Sequence, residues 1–331
     1  MASGNHSSIT EFILLGLSAD PQVQALLFAL FLMIYLLTLL GNLLMILVIH
    51  TDSNLHTPMY FFLSHLSFQD LFYSSVTVPK MLENLLSQRK AISVKGCLAQ
   101  VFFVFATTGI EACLLSVMAY DRYAAICHPL LYCQVTTKQL CMRLVWGSWV
   151  VAFLDALINI LLALNLDFCE VQTIHHYSCE LPSLLPLSCS DVSTNSAMLL
   201  CSVILHAIGT CLLIIFSYAC IVSTILSISS ATGRSKAFST CFSHLTAVIL
   251  FYGSAILRYL TPTSGSPLEL ILSIQYSVIT PLVNPLIYSL KNKEVKAALR
   301  RMMLKYLQGL STEEREHEGN VEQNHSKKSN G

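Results

Sequence analysis

Residues 118–132 read MAYDRYAAICHPLLY and follow directly on the apolar run VFFVFATTGIEACLLSV of residues 101–117. Asp121 and Arg122 stand side by side where this run ends, and Tyr123 follows them. An acid and a base at the end of a membrane-length helix are costly to place there, which favours a functional role. The plain alternative is an anchor whose side chains reach the lipid headgroups. The stretch therefore predicts a transmembrane helix that ends in a candidate functional pair.

The composition is that of a membrane protein. The chain has 331 residues, of which 54% are hydrophobic and 11% are charged. Soluble proteins carry about 25% charged residues, so the deficit indicates that lipid surrounds most of the surface. The formal net charge is zero, and nothing in it points to nucleic acid as a partner. The first twenty residues lack a basic region before an apolar one. We therefore expect no cleaved signal peptide and a first span that acts as its own insertion signal.

Seven apolar segments are long enough to cross a bilayer, which takes about 20 residues. The first of them, from Val23 to Ile49, contains no charged residue, and Asp20-Pro21 before it is a typical helix start. Open β-structure cannot cross lipid. The pattern therefore predicts an all-α membrane protein, a seven-transmembrane helix bundle over residues 23–290. The predicted spans cover residues 23–49, 58–86, 97–126, 140–164, 196–228, 237–260 and 268–290.

The two ends of the chain differ from the bundle. Residues 1–22 are predicted as an extracellular N-terminus, with a glycosylation sequon at Asn5. Residues 291–307 carry apolar side chains at helical spacing with basic residues between them. This pattern predicts a short amphipathic eighth helix on the inner leaflet. Residues 308–331 are polar and charged and are predicted to be a disordered cytoplasmic tail.

The distribution of Lys and Arg predicts the orientation, because cytoplasmic loops carry an excess of them. With the N-terminus outside and the C-terminus in the cytoplasm, fourteen lie inside and five outside. The inner residues are Arg122, Lys138, Arg143, Arg234, Lys236, Lys291, Lys293, Lys296, Arg300, Arg301, Lys305, Arg315, Lys327 and Lys328. The outer residues are Lys80, Arg89, Lys90, Lys95 and Arg258.

One face of the third predicted span carries two charges. Arg122, Glu111 and Val104 are separated by three and then two helical turns, and Thr108 lies close to the same face. A face with two charges should point into the bundle. We therefore expect a pocket wall at Val104 and Thr108, on the outer side of a charged relay.

Asp70 and Glu111 are both acids near the middle of predicted spans. Such a pair needs a cation or a proton between its members, because like charges disfavour each other's ionisation. An enzyme would use them as an acid/base pair, but no third group and no cluster of metal ligands supports that interpretation. We favour a Na⁺ or proton site over structural hydrogen bonding, and we expect no other cofactor.

The sequence resembles a known receptor family over nearly its whole length. MAYDRY followed by AICHPLLY resembles the third-helix end of rhodopsin-like (class A) G-protein-coupled receptors, and within them it looks like the odorant receptors. LHTPMYFFLSHLSFQDL at 55–71, KAFSTCFSHLTAVILFYG at 236–253 and PLVNPLIYSLKNKEVKAALRR at 281–301 resemble the same family, in the expected order.

The resemblance implies a receptor of the plasma membrane and not an enzyme. It would bind small volatile, mostly apolar molecules and activate a stimulatory heterotrimeric G protein, which raises cyclic AMP. The alternatives are a non-olfactory rhodopsin-like receptor and an ion-coupled transporter, although the chain shows no repeated halves. The residues that the resemblance assigns to G-protein coupling and activation are Asp121, Arg122, Tyr123, Tyr218, Lys236, Asn284, Pro285 and Tyr288.

Four cysteines lie at or between the ends of the predicted spans, namely Cys97, Cys169, Cys179 and Cys189. Four cysteines allow three pairings, and the spacing does not choose among them. The family resemblance implies the pairs Cys97–Cys179 and Cys169–Cys189. The adjacent histidines at 175–176 have no partner ligands at fixed spacing, so we predict no metal site.

The pocket residues are also implied by the resemblance, and for each of them ordinary helix packing is the alternative. Most are apolar or aromatic, which suits a small molecule with one polar group. No Asp stands at position 104, so the anchor of amine receptors is missing. The predicted ligand-binding residues are Val104, Phe105, Thr108, Gly109, Glu180, Leu181, Ser202, Val203, His206, Tyr252, Ala255, Tyr259 and Ser277.

Overall fold

The computed structural model describes residues 9–168, 173–260, 266–306 and 308. These residues contain seven long helices, numbered first to seventh here, and they confirm the all-α bundle. The first four helices are Pro21–Thr51, Pro58–Leu86, Val94–Cys127 and Lys138–Ala163. The fifth runs without a break through Ser193–Val203, Ile204–Gly209 and Thr210–Ser227, and the sixth is Ala231–Leu260. The seventh runs through Pro267–Ile274, Gln275–Ile279 and Thr280–Lys291.

Shorter elements connect the long helices. The helix Pro129–Val135 follows the third helix, and the helix Leu181–Leu184 lies between the fourth and fifth. The 3₁₀ turns Ser53–Leu55 and Leu185–Leu187 complete these connections. A further helix over residues 293–306 follows the seventh.

Polar side chains fix where several long helices begin. The Asp20 carboxylate accepts hydrogen bonds from the backbone N–H groups of Gln22 and Val23, with Pro21 in the first turn. Ser93 and Ser266 cap the third and seventh helices in the same way, through Gly96 and Glu269. These caps satisfy amide groups that have no partner inside the helix.

Six of the described helices are long and apolar enough to cross a membrane, and the second is not among them. The second helix is 29 residues long but carries Asp70, Lys80 and Glu83. It packs against the first and third helices, and 16 of its residues are buried, including Gln69 and Asp70. Because its neighbours cover Gln69 and Asp70, it forms part of the bundle even though its composition is more polar.

The outward faces of the long helices are strongly apolar. Leu26 on the first helix, Trp146 on the fourth and Ile249 on the sixth are 64–70% exposed. Burying such side chains in lipid is favourable. This arrangement, with polar groups inside and apolar groups outside, is that of a multi-pass membrane protein.

The ends of the bundle are named here after their landmarks, as the Arg122 end and the disulfide end. The main apolar core lies toward the Arg122 end and includes Leu63, Leu66 and Leu115. The helix over 293–306 packs against this core through Val295 and Ala298, which are buried, while Met303 and Tyr306 are exposed.

The disulfide end carries a small sheet that the sequence did not predict. Its strands are β1 (Glu11–Leu14), β2 (Ala91–Ser93) and β3 (Thr173–Ile174), with β1 in the middle. Strand β1 pairs antiparallel with β2 and parallel with β3. Phe12 and Leu14 on β1 are fully buried. Only two alternating apolar positions mark β1, which is too short a pattern to indicate a strand.

The Cys97–Cys179 disulfide is present and confirms that predicted pair. It ties the third helix to the segment between the fourth and fifth helices. Cys189 is also disulfide-bonded. Its predicted partner Cys169 lies outside the described residues, as do the sequon at Asn5 and the tail beyond 308.

The fifth and seventh helices each contain a π-helical turn, at Ile204–Gly209 and Gln275–Ile279. Such turns rotate the following side chains relative to a regular α-helix and often occur at functional sites. Here they carry His206, Tyr276 and Ser277. The sequence pattern did not predict either turn.

The Cys97–Cys179 disulfide closes a loop with a sequence separation of 82 residues. We expect Cys179→Ser to lower the free energy of unfolding by about 2–4 kcal/mol, because the bond restricts the unfolded chain. Thermal unfolding of the detergent-purified protein measures this change. The control is Cys201→Ser, which removes an exposed free thiol. Equal melting temperatures for the two variants would show that the disulfide is not a stabilising link.

Candidate functional site

A cavity of about 340 Å³ lies at the disulfide end. The third, fifth, sixth and seventh helices form its walls, and the segment after Cys179 covers it. Most of the lining is apolar, and its polar groups include two charged side chains. The lining residues are Val101, Val104, Phe105, Thr108, Glu180, Leu181, Pro182, Leu199, Ser254, Ala255, Arg258, Leu272, Ser273 and Tyr276.

Arg258 and two carboxylates form a charged cluster at this cavity. Arg258 Nη2 lies 2.8 Å from Glu269 Oε1 on the seventh helix and 3.6 Å from Glu180 Oε2. The Glu269 side chain is 2% exposed, whereas those of Arg258 and Glu180 are 16% and 18% exposed. The cluster therefore joins the sixth helix to the seventh helix and to the covering segment.

A chain of hydrogen bonds holds Glu180 in place. Ser273 Oγ donates to Glu180 Oε1 at 3.0 Å, and His176 Nε2 lies 3.0 Å from Ser273 Oγ. Ser273 gives its one proton to the carboxylate, so His176 Nε2 is the donor of the next bond. His176 Nδ1 lies 3.2 Å from the backbone nitrogen of Ser178 and 3.1 Å from the Ser178 carbonyl and hydroxyl oxygens. The His176 side chain is buried.

Hydroxyl groups line the opposite end of the cavity. Thr108 and Tyr276 are in hydrogen-bond contact through their hydroxyls, and Thr108 Oγ1 also donates to the carbonyl of Val104 at 2.8 Å. Thr108 lies 14 residues into the third helix, about 20 Å from its start at the disulfide end, whereas Arg258 lies in the last turn of the sixth helix at that end. The cavity thus has a charged end and a hydroxyl end, with apolar walls between them.

A separate polar network lies between the third, fourth and fifth helices. His206 Nε2 is 3.1 Å from Asp155 Oδ2, and Ser202 donates to Asp155 Oδ1 at 2.8 Å. Asn159 donates to Ser202 Oγ at 3.0 Å, and Cys113 Sγ lies 3.7 Å from His206 Nδ1. The Asp155 carboxylate draws His206 and Ser202 toward the fourth helix.

The two mid-membrane acids are fully enclosed. Asp70 is 0% and Glu111 is 1% exposed. Asn284 Nδ2 donates to both oxygens of Asp70, at 3.3 and 3.1 Å. Gln69 Nε2 donates to Glu111 Oε2 at 3.2 Å, while Glu111 Oε1 has no hydrogen-bond partner within the described part of the chain. These groups lie between the cavity and the Arg122 end.

Asp121 and Arg122 form an ion pair at their end of the bundle. Arg122 Nη2 lies 3.0 Å from Asp121 Oδ2, and the Tyr132 hydroxyl donates to Asp121 Oδ1 at 2.7 Å. Tyr132 belongs to the short helix after the third. Burial and the neighbouring Asp121 carboxylate raise the pKa of Tyr132, so its hydroxyl keeps the proton that it donates.

A second cavity, of about 670 Å³, lies at the Arg122 end. Arg122, Tyr288 and His244 contribute to its lining. Beside it, Tyr218 and His244 are joined through the hydroxyl and Nδ1 at 2.7 Å, and His244 Nε2 contacts the carbonyl of Leu115 at 3.0 Å. This contact ties the third, fifth and sixth helices together.

The family model described as olfactory receptor matches residues 31–306 of this sequence.
The chain belongs to the olfactory receptor family.
Human olfactory receptor 8S1 is 71% identical over 296 residues, which are 89% of this chain and 82% of that receptor. Human olfactory receptor 1F1 is 49% identical over 305 residues, which are 92% of this chain and 98% of that receptor. Among solved structures, squid rhodopsin matches with a TM-score of 0.69 at 18% identity, covering 86% of this chain and 81% of its own.

These matches confirm an odorant receptor with the rhodopsin-like seven-helix fold. The chain is a signalling receptor and not an enzyme, and it works in a membrane with an odorant ligand and a G protein. The alternative predictions, a non-olfactory receptor and an ion-coupled transporter, are set aside by the family match.

The olfactory receptor pocket predicted from the sequence is only partly gathered at the cavity. Six of the thirteen predicted residues line it, namely Val104, Phe105, Thr108, Glu180, Leu181 and Ala255. Ser202 and His206 belong instead to the Asp155 network, and Val203 is not in the lining. The Tyr259 side chain lies outside the described part.

Three further predicted pocket residues make other contacts in this olfactory receptor. A Cβ added at Gly109 would lie 3.0 Å from Ala152 and 3.3 Å from His206, so Gly109 packs against the fourth and fifth helices. Tyr252 and Thr210 are in hydrogen-bond contact through their hydroxyls. Ser277 pairs with the Tyr177 hydroxyl at 2.7 Å, and burial raises the pKa of Tyr177.

Arg258, Ser273 and Tyr276 line the cavity but were not among the predicted pocket residues. Ala255 was predicted, and Arg258 lies one turn beyond it on the same face of the sixth helix, so helical spacing carried that signal. Ser273 lies four residues before the predicted Ser277, which is also helical spacing. Tyr276 carried no such signal, because the π-helical turn at Gln275–Ile279 changes which side chains of the seventh helix face inward.

Some of the predicted coupling residues of this olfactory receptor lie together at the Arg122 end. Asp121 and Arg122 form the ion pair, and Tyr288 lines the second cavity. Tyr123 contacts His128 instead, through its hydroxyl and Nε2 at 3.0 Å. Pro285 lies inside the seventh helix, where it contacts Gly41 of the first. The Lys236 side chain is outside the described residues. Asn284 bonds Asp70, and Tyr218 bonds His244.

Proposed function

We propose that this receptor binds small volatile, mostly apolar odorants in the cavity at the disulfide end. We further propose that it activates a stimulatory G protein and so raises cyclic AMP. The cavity of about 340 Å³, walled by Val104, Phe105 and Ala255, carries this proposal. Pockets of this size with few polar groups suit small ligands.

The disulfide end faces the cell exterior in this proposal, and the N-terminus lies outside the plasma membrane. Two observations support it. Fourteen of the 19 Lys and Arg residues fall on the opposite side in this orientation. In addition, disulfides persist in oxidising surroundings, and Cys97–Cys179 lies at the proposed outer end.

The signal passes through contacts that join the helices. Thr108 and Tyr276 link the third helix to the seventh beside the cavity, and Tyr252 and Thr210 link the sixth helix to the fifth. An odorant shifts the population toward the state that it binds better. The sixth helix then moves outward, and the Asp121–Arg122 pair opens.

The G protein binds in the second cavity. Arg122 lines this cavity, and the 670 Å³ space provides room for a segment of the partner. The second inner loop, residues 125–137, contains the helix Pro129–Val135 and borders the same end of the bundle.

Arg122→Ala should abolish the cyclic-AMP response to odorants, because it removes the charge that pairs with Asp121 and lines the G-protein cavity. A screen of small volatiles in cells that express the full chain measures the response. Arg143→Ala, at an exposed position on the same side, is the control and should respond normally.

An N-terminal tag stained on intact cells gives surface level and orientation together. A tag that is reached only after permeabilisation would contradict the proposed orientation, and a full response from Arg122→Ala would contradict the coupling site.

Ala255→Phe should raise the half-maximal odorant concentration about tenfold or more, because extra atoms in a filled pocket cost about 1–3 kcal/mol. Ile256→Phe is a matched control, since that neighbouring side chain is 54% exposed on the outer face of the sixth helix. Dose–response curves for an odorant found in the screen measure both variants. Identical curves for the two would place the odorant elsewhere.

We also propose that Asp70 and Glu111 hold a Na⁺ ion or share a proton in the resting state. Two carboxylates enclosed in the bundle need such compensation, and Glu111 Oε1 has no hydrogen-bond partner among the described residues. The Asn284 amide, which bonds Asp70, would sense the change through the seventh helix.

Replacing sodium by N-methylglucamine at constant pH should raise basal signalling if a cation stabilises the resting state. A shift of basal signalling with pH at constant sodium indicates a shared proton instead. Asp70→Asn should remove whichever dependence is found. Basal signalling that changes with neither sodium nor pH would contradict the proposal. Asp70 and Glu111 would then have only a structural role, as hydrogen-bonding groups.

A further inference from the structure

We infer that the odorant carries a neutral hydrogen-bond acceptor, such as a ketone, aldehyde or ester carbonyl, and that Arg258 binds it. This inference rests on the proposed odorant site and specifies the chemical class of its ligand. It follows from the charges and the unpaired donor at the charged end of the cavity.

Arg258 has donor capacity that the described part of the chain does not use. Its Nε atom makes no hydrogen bond within the described part of the chain. Its Nη2 atom lies 2.8 Å from a Glu269 oxygen and 3.6 Å from a Glu180 oxygen, so the two carboxylates neutralise the charge of Arg258 but leave Nε unpaired. A buried donor without a partner is costly, and guanidinium has no acceptor capacity of its own. A ligand therefore gains most at this end by offering an acceptor.

The hydroxyl end of the cavity offers a ligand fewer free hydrogen-bond donors than Arg258 does. Thr108 already donates to the Val104 carbonyl, and it contacts the Tyr276 hydroxyl. Ser273 gives its proton to Glu180, and His176 gives its proton to Ser273. These donors are occupied, so Arg258 is the group that selects the polar part of the odorant.

The sign of the cluster excludes a carboxylate as the preferred ligand. One guanidinium and two carboxylates give Arg258, Glu180 and Glu269 a formal net charge of −1. A third carboxylate would add a like charge at short range. An ammonium ion would meet Arg258 itself. A neutral acceptor fills the unused donor without either penalty.

The test compares four series of straight-chain molecules of about six to nine carbons, sized to a small pocket: alkanes, methyl ketones, carboxylates and primary amines. We expect the wild-type receptor to respond most strongly to the ketones. Arg258→Met, which keeps the length of the side chain but not its charge or donors, should weaken the ketone response about ten- to hundredfold. Arg89→Met is the matched control at an exposed arginine of the same end, outside the cavity lining.

Glu180→Gln provides a gain of response, which misfolding cannot produce. The change brings the cluster from −1 to neutral, so the carboxylate series should become at least about tenfold more potent. Surface level is followed with the N-terminal tag for every variant.

Several outcomes would overturn the inference. They are a wild-type preference for carboxylates, amines or alkanes, a ketone response that survives Arg258→Met, and a carboxylate response unchanged by Glu180→Gln. Basal cyclic-AMP signalling that Arg122→Ala removes, with no response to any series, overturns the inference but leaves the proposed coupling in place. A receptor at the surface that shows neither basal nor stimulated signalling overturns the proposed function itself.

Discussion

Hydrocarbon offers no hydrogen-bond partner, and this constraint decides where every polar group of the receptor lies. Asp70, Glu111 and Asp155 would be prohibitively costly on a lipid-facing surface. In the structure each of them is buried and contacts an amide or a hydroxyl of another helix or of its own. The polar contacts therefore specify which faces of the helices meet. The apolar side chains on the outside do not, because they could face lipid equally well if a helix were rotated about its axis.

The Cys97–Cys179 disulfide explains how the cavity at that end is closed. Cys179 is bonded to the start of the third helix, and Glu180 is its neighbour in the chain. The bond therefore places a carboxylate over the cavity, where Ser273 and Arg258 meet it from the seventh and sixth helices. The charges of Arg258, Glu180 and Glu269 therefore connect the sixth helix, the covering segment and the seventh helix. A ligand that alters these contacts acts on all three segments at once.

The sequence predicts the helices well, and it predicts the lining of the cavity less well. Uncharged runs such as 23–49 predict spans because length and composition suffice. The Asp121–Arg122 pair was found because the two residues are adjacent in the chain. The π-helical turns were not found, because they depend on packing and change the facing of Tyr276 without a mark in the sequence.

His206 illustrates a second reason why the sequence alone does not predict the lining of the cavity. Its position on the fifth helix resembles a pocket position, but its partner Asp155 lies 51 residues earlier on the fourth helix. The sequence indicates only that Arg258 lies on the outer side. In the structure, Glu269 on the seventh helix holds the Arg258 side chain at the cavity. Such pairings depend on which helices are neighbours. A single sequence does not contain that information until the bundle is known.

The small sheet at the disulfide end has a consequence for assembly. Strand β1 is the central strand, yet its partner β3 lies about 160 residues later, at Thr173–Ile174. Chains are synthesised from the N-terminus, so the edge of β1 that pairs with β3 stays open while the first four helices are made and inserted. Exposed strand edges invite association with other chains. The nascent receptor therefore depends on its surroundings to shield this edge until β3 arrives, which makes biogenesis, rather than the finished fold, the vulnerable stage.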